Sequence, residues 1–148
     1  MKNIVVRETD ITEAFKVHKN VKEFDDPGCN SISYFENRYE GKDKIILVAY
    51  YEEIPIGYMI GYDRDDDNSF YAWMAGVDNN YRRYGALTAL MNYFMTWSKN
   101  AGYNKIKIKT RNNKREMLSF LVKTGFNFVF VENKEDITEN RIELEYLL

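Results

Sequence analysis

The residues best suited to chemistry lie between Asn79 and Leu87, NNYRRYGAL, with Thr88 just beyond. An apolar run ending at Val77 precedes them, and an amphipathic helix follows. Where a strand ends against a helix start, the first-turn N–H groups lack partners and the helix dipole presents its positive end. That arrangement holds phosphates. Gly85 permits close backbone approach, and the amides of Arg83, Tyr84, Gly85, Ala86, Leu87 and Thr88 can cradle a pyrophosphate. Arg82 and Arg83 add positive charge there, and Thr88 offers a hydroxyl. Taken alone, the stretch also reads as a plain strand-to-helix connection with solvated arginines.

Other chemistries are poorly supplied. Cys29 and His18 are each the sole residue of their type, so neither an intrachain disulfide, a His/Cys metal cage nor a Cys–His nucleophile is expected. Cys29 reads as packing and His18 as surface. No metal is expected. There is no P-loop lysine motif and no G-x-G-x-x-G run, which ranks a plain nucleotide-phosphate binder last.

The elements that must position the turn follow from periodicity and breakers. Ile4–Val6 read as a strand, and Asp10 with Glu13 forms a capping box that opens a helix over Ile11–Glu23. After the breaker Asp25-Asp26-Pro27-Gly28, a second helix is expected over Ser31–Tyr39. Strands follow at Lys44–Tyr51, Ile56–Asp63 and Phe70–Val77, forming a meander; the run IILVAYY suggests burial on both faces. The helix Tyr84–Asn100 carries Leu87, Leu90, Met91, Phe94 and Trp97 on one face. Lys105–Thr110 alternates as a strand, and Asn113 with Glu116 looks like a second capping box for a helix that stops at Gly125. Phe126–Val131 and Arg141–Leu147 close the chain as strands. Strand, turn, helix, strand in the centre implies a parallel crossover within a mixed sheet.

The totals fit one globular domain over residues 1–148: 45% hydrophobic, 30% charged and 16% aromatic, with a formal net charge of −2. That balance argues against nucleic acid as a partner, and no run approaches the ~20 apolar residues of a membrane span. A soluble, cytoplasmic protein is the expectation.

The layout resembles the GNAT (general N-acetyltransferase) superfamily, on three stretches. IVVRETD with EAF looks like its opening strand and helix. AGVDNNYRRYGALTALM is similar to its acyl-CoA signature, [RQ]-x-x-G-x-[GA] after a strand end. MLSFLVKTGFNFV looks like its closing helix and G-F turn. The resemblance covers nearly the whole chain. It implies an α/β (α+β) fold with a mixed, mostly antiparallel sheet of six to seven strands, a central splayed parallel pair and about four helices. It implies acetyl-CoA as co-substrate and transfer of the acetyl group to a small-molecule amine or a peptide. It also implies that Ala75, Gly76 and Val77 offer backbone groups to the pantetheine arm, with Arg82 and Gly85 in the first and fourth signature places. A homodimer through the C-terminal strands is a further expectation.

The departures from the family pattern are specific. Leu87 stands where Gly or Ala is usual. Leu121 replaces the tyrosine that would protonate the leaving thiolate. Lys114 takes the place of an asparagine near the CoA arm, with Asn113 one residue earlier and readable as a helix cap. Tyr71 aligns with a position that carries Glu in some members; a tyrosine with its usual pKa of about 10 is a weak base at neutral pH. Tyr34, Tyr58, Tyr62 and Tyr71, with Asp63 and Asp65, are candidates for lining the acceptor side. Asp25, Asp26 and Asp65–Asp67 form either an acidic rim suited to a cationic amine or solvated turns. Lys105, Lys107, Lys109 and Arg111 read as a solvated or salt-bridged face. The missing acid and base leave two functions open: an N-acetyltransferase, or a catalytically silent acyl-CoA-binding or regulatory module.

Overall fold

The computed structural model describes residues 2–24, 28 and 30–148; the expectations for Asp25, Asp26 and Cys29 lie outside the described residues. Strand β1 spans Ile4–Glu8, and helix α1 spans Ile11–His18, with the Asp10 carboxylate accepting the Glu13 N–H as the capping box requires. α1 stops well short of Glu23. The Asn20 side chain donates to the Lys16 carbonyl, a local bond that competes with the helical ladder, and the chain leaves in successive tight turns. Helix α2, Ile32–Tyr39, is capped by Ser31, whose hydroxyl accepts from the Tyr34 N–H.

Strands β2 (Lys44–Tyr51) and β3 (Ile54–Tyr62) are joined by Glu52 and Glu53, both at positive φ, 50° and 66°. A two-residue hairpin turn of that kind matches the right-handed twist of the strands, so Ile54 and Pro55 belong to β3 rather than to the connection. Strand β4 (Ser69–Val77), helix α3 (Ala86–Asn100), strand β5 (Lys105–Arg111), helix α4 (Arg115–Thr124) and strands β6 (Asn127–Glu132) and β7 (Arg141–Leu147) complete the described order.

The strands form one seven-stranded sheet in the order β1-β2-β3-β4-β5-β7-β6, in which β4 and β5 are the parallel pair. β7 inserts between β5 and β6, antiparallel to both. The parallel ladder joins Ser69–Ala72 to Lys105–Ile108 and then stops, although β4 runs on to Val77 and β5 to Arg111. From Trp73 onward the two strands splay apart, as the family resemblance implied.

Each face of the sheet carries its own core. On one side α3 and α4 pack Leu90, Phe94 and Leu121 against Phe70, Ile106 and Leu144. The close approach of α3 depends on Gly61, where a Cβ would collide with the Phe94 ring and lie 2.9 Å from Phe70. On the other side α1 and α2 pack Val17 and Phe35 against Val48, Tyr58 and Ile60. Strand β2 is buried on both faces, as its unbroken apolar run predicts. His18 was expected at the surface and is instead 1% exposed, stacked between Phe15 and Phe24 with Nδ1 2.8 Å from the Tyr58 hydroxyl. Those aromatics supply both the cover and the polar partner that a buried imidazole needs.

Candidate functional site

The site is built from the free end of β4. The Asp78 N–H donates to the Ile56 carbonyl at 2.8 Å, and Gly76 is opposite Tyr58 in the β3–β4 register. Antiparallel alternation therefore turns the backbone of Gly76 toward β3 and the backbones of Ala75 and Val77 toward the gap beside β5. Gly76 contributes differently from its neighbours. A Cβ there would lie 2.9 Å from Phe24 and 3.0 Å from Val21, so its bare backbone admits the segment that follows α1.

The turn after β4 presents its amides. Arg83 has φ 71° and Gly85, the N-cap of α3, has φ 90° with no side-chain cap. The N–H groups from Tyr84 to Thr88 find no acceptor among the described residues. A Cβ built on Gly85 would meet nothing within 4 Å, so open space lies in front of these donors. Successive N–H groups around left-handed residues, at the positive end of a fifteen-residue helix, make a concave anion site. Ala86 is buried beneath it, Thr88 is exposed, and Leu87 packs partly against the main core. The residues present thus fit a pyrophosphate. Arg83 is exposed, but Arg82 is not a free cation: its Nε donates to the Val77 carbonyl at 3.1 Å and a terminal nitrogen to Glu23 at 2.8 Å. Nearby, the Lys22 N–H donates to Asn79 Oδ1 at 2.9 Å. Glu23 and Lys22 had no local signal; only the tertiary fold brings them to the turn.

On the opposite face, beside the splay, Tyr71 and Trp73 project from β4. Tyr71 is 5% exposed, with the Arg64 guanidinium 4.0 Å from its ring centre. Burial raises its phenol pKa above the usual value, against the lowering pull of Arg64 and Arg38. Tyr62 accepts from Arg38 Nε at 2.9 Å, and the Tyr34 ring lies 6.0 Å from Trp73. Three of the four expected tyrosines therefore gather around Trp73. Tyr58 does not line an open site: it is fully buried against His18, and burial drives its phenol pKa strongly upward.

Of the aspartates read as either an acidic rim or solvated turns, Asp65 and Asp67 are salt-bridged. Lys107 bridges Asp65 at 3.1 Å and Asp67 at 2.7 Å, and Arg64 pairs with Asp65 at 2.9 Å, so these carboxylates are already neutralised. Asp63 accepts from the Tyr103 hydroxyl. In the basic stripe Lys105 pairs with Glu145 and Arg111 with Glu139, as Lys107 does with Asp65 and Asp67, while Lys109 makes no ion pair among the described residues. Asn113 is no helix cap. Its Nδ2 donates to Glu139 at 2.9 Å, and α4 starts from Lys114 without a side-chain cap, because the connection before β7 outcompetes the local bond. Leu121 is fully buried in the main core. Among the described residues no group of His, Cys, Asp and Glu could hold a metal, and no helix is long and apolar enough to cross a membrane.

Comparison with known proteins bears directly on this geometry. The model of the Acetyltransferase (GNAT) family matches residues 10–126. No curated protein sequence matches the chain significantly. Among solved structures, the ribosomal-protein-S18-alanine N-acetyltransferase from Escherichia coli superposes with a TM-score of 0.81 at 14% identity, over 98% of this chain and 94% of that one. Ard1 from Thermoplasma volcanium gives 0.80 at 16% identity, over 98% and 97%. A GNAT family acetyltransferase from Elizabethkingia anophelis with acetyl-CoA bound gives 0.77 at 16% identity, over the full length of both chains.

Proposed function

This chain belongs to the acetyltransferase (GNAT) family, whose members use acetyl-CoA as co-substrate, and from that premise we propose that it is a single-domain N-acetyltransferase acting by direct transfer within a ternary complex. The observation that carries the reading is the unpaired end of β4, opening beside the uncapped start of α3. Acetyl-CoA supplies a thioester whose acetyl carbon takes the amine nitrogen and whose sulfur leaves as thiolate.

In this reading the amides of Arg83 to Thr88 hold the pyrophosphate. Ala75 and Val77 hold the pantetheine arm along the strand edge, and the Val77 N–H stabilises negative charge on the carbonyl oxygen. Asn113 gives one amide N–H to Glu139, and its side-chain oxygen remains to meet the CoA arm. A preorganised backbone donor and two oriented reactants can supply most of the acceleration without a dedicated side-chain acid. Solvent protonates the thiolate, because Leu121 has no proton to give.

The acceptor, a small-molecule amine or a peptide N-terminus, enters from the Tyr71–Trp73 face. A homodimer is supported by β6, an edge strand whose Phe128 and Phe130 are 51% and 55% exposed. Leu121 also favours a second reading, a catalytically silent acyl-CoA-binding module. Thermal shift with acetyl-CoA followed by free-thiol release across an amine panel tests both. Stabilisation with turnover of an amine is expected; stabilisation with turnover of none selects the silent module, and no stabilisation refutes both.

A further inference from the structure

The side of the splay open to an acceptor is cationic. Phe70 and Ala72 of β4 point into the main core with Ile106 and Ile108 of β5. By alternation Tyr71, Trp73, Lys107 and Lys109 occupy the other face, away from α3 and its anion site. Around that face stand Arg38 from α2, Arg64 from the β3–β4 connection and Arg141 from β7. Arg38 lies with its guanidinium 5.0 Å from the Trp73 ring centre and gives its Nε proton to Tyr62 at 2.9 Å. Arg141 is directly opposite Arg111 in the β5–β7 register.

The carboxylates nearby are largely spent. Asp65 and Asp67 neutralise Lys107 and Arg64, Glu139 neutralises Arg111, and Glu132, opposite Arg141 in the β6–β7 register, pairs with Lys134. Arg38 and Arg141 have no ion pair among the described residues. Arg38 reaches this face through Trp73, and Arg141 lies on it by alternation with Ile142 and Leu144, which point into the main core. Arg38 is also the cation whose direction is fixed. Trp73 supports its plane and Tyr62 takes one donor, which leaves the terminal nitrogens as a fork suited to two oxygens.

We propose that Arg38, stacked on Trp73, is a specificity-determining residue that binds an anionic oxygen group on the acceptor, so that the favoured substrate is an amine that also carries a carboxylate or a phosphate. The inference rests on the acetyltransferase reading above and names the class of its acceptor. Diamines and polyamines are disfavoured, because their second positive charge meets Arg38. The amine itself is acylated in its neutral form, with its proton passed to water.

The test is free-thiol release from acetyl-CoA with four matched series of two to six carbons: aminoalkyl carboxylates, their carboxamides, aminoalkyl phosphates and diamines. At least a tenfold higher kcat/KM for a carboxylate or phosphate than for the matched carboxamide and diamine is expected, and the better anionic series identifies the group. In R38Q the KM of the anionic acceptor should rise at least tenfold and the preference over the carboxamide should vanish, with the KM for acetyl-CoA changed less than twofold. Turnover of carboxamides or diamines equal to that of the anionic amines overturns this inference and leaves the acetyltransferase reading standing. Turnover of no amine, in protein that acetyl-CoA stabilises, refutes both. The wild-type comparison decides the matter even where R38Q folds poorly.

Discussion

Arg82 and Glu23 meet at 2.8 Å, and the same guanidinium donates through Nε to the Val77 carbonyl at 3.1 Å. One side chain thus ties the segment after α1 to the end of β4. The pair is partly exposed, 35% and 41%, so its direct value is that of a surface ion pair, about 0–1 kcal/mol. Its larger effect is to fix where Arg82 sits. E23Q is expected to lower the melting temperature by no more than about 4 °C and to raise the KM for acetyl-CoA about two- to tenfold, the span of one hydrogen bond. Thermal melts beside initial-rate kinetics check both; an unchanged KM would show that Arg82 needs no tether.

The same pair has a pH signature. Burial works to raise the Glu23 pKa, but the hydrogen bonds it accepts from Arg82 and from its own backbone, with the charges of Arg82 and Lys114, together outweigh it, so the carboxylate titrates below its ordinary 4.5. A depressed folded-state value means the stabilisation is complete above pH 4.5 and fades as pH falls through the lowered value. The stability difference between wild type and E23Q should therefore be constant from neutral pH down to about 5 and shrink below it.

Gly85 separates binding from folding. A Cβ there meets no neighbour within 4 Å, so the main cost to the fold is the left-handed backbone at φ 90°, about 1–2 kcal/mol for a residue with a Cβ. G85L should remain folded, with a melting temperature lower by roughly 2–8 °C, and should lose its stabilisation by acetyl-CoA. Normal acetyl-CoA binding by G85L would remove the turn from the cofactor site.

Gly61 is the opposite case, a glycine demanded by packing. Its backbone φ is not positive, yet a Cβ would run into the Phe94 ring and approach Phe70 to 2.9 Å. Both rings are fully buried and cannot swing away. G61A should cost about 1–3 kcal/mol by overpacking, read as a shifted urea midpoint with an unchanged m-value.

What was legible in the sequence was what short-range chemistry decides. Val, Ile and Leu runs marked the strands, Asp10 capped α1, and Gly125 took the left-handed position expected at a helix end. The anion site belongs to this class, because a strand end, a glycine and a helix start are neighbours in the chain. The rest depended on partners far apart in sequence. His18 looks like a surface residue until Tyr58, forty positions away, supplies its hydrogen bond. Asn113 looks like a cap until Glu139 takes its amide, and Asp65 like a free charge until Lys107 claims it. The polarity of the acceptor face is a sum over such pairings, so residue types alone left both an acidic rim and solvated turns open.

Tyr71 provides the sharpest check on how the amine loses its proton. It is the one side chain that the family resemblance puts where some members carry a glutamate base. Its pKa is raised first by burial, and the neighbouring guanidiniums of Arg64 and Arg38 only partly offset that. A phenol with a raised pKa is almost wholly protonated at neutral pH and cannot accept a proton from an ammonium group. Y71F should therefore keep kcat/KM within about tenfold of wild type, whereas loss of a true general base costs about 10²–10⁴-fold. The pH profile gives an independent reading. With water taking the proton, log kcat/KM should climb with unit slope up to the pKa of whichever amine is supplied, and the bend should move when an acceptor of different basicity is used. A bend that stays at one pH for all acceptors, or that disappears in Y71F, would assign the proton to the protein.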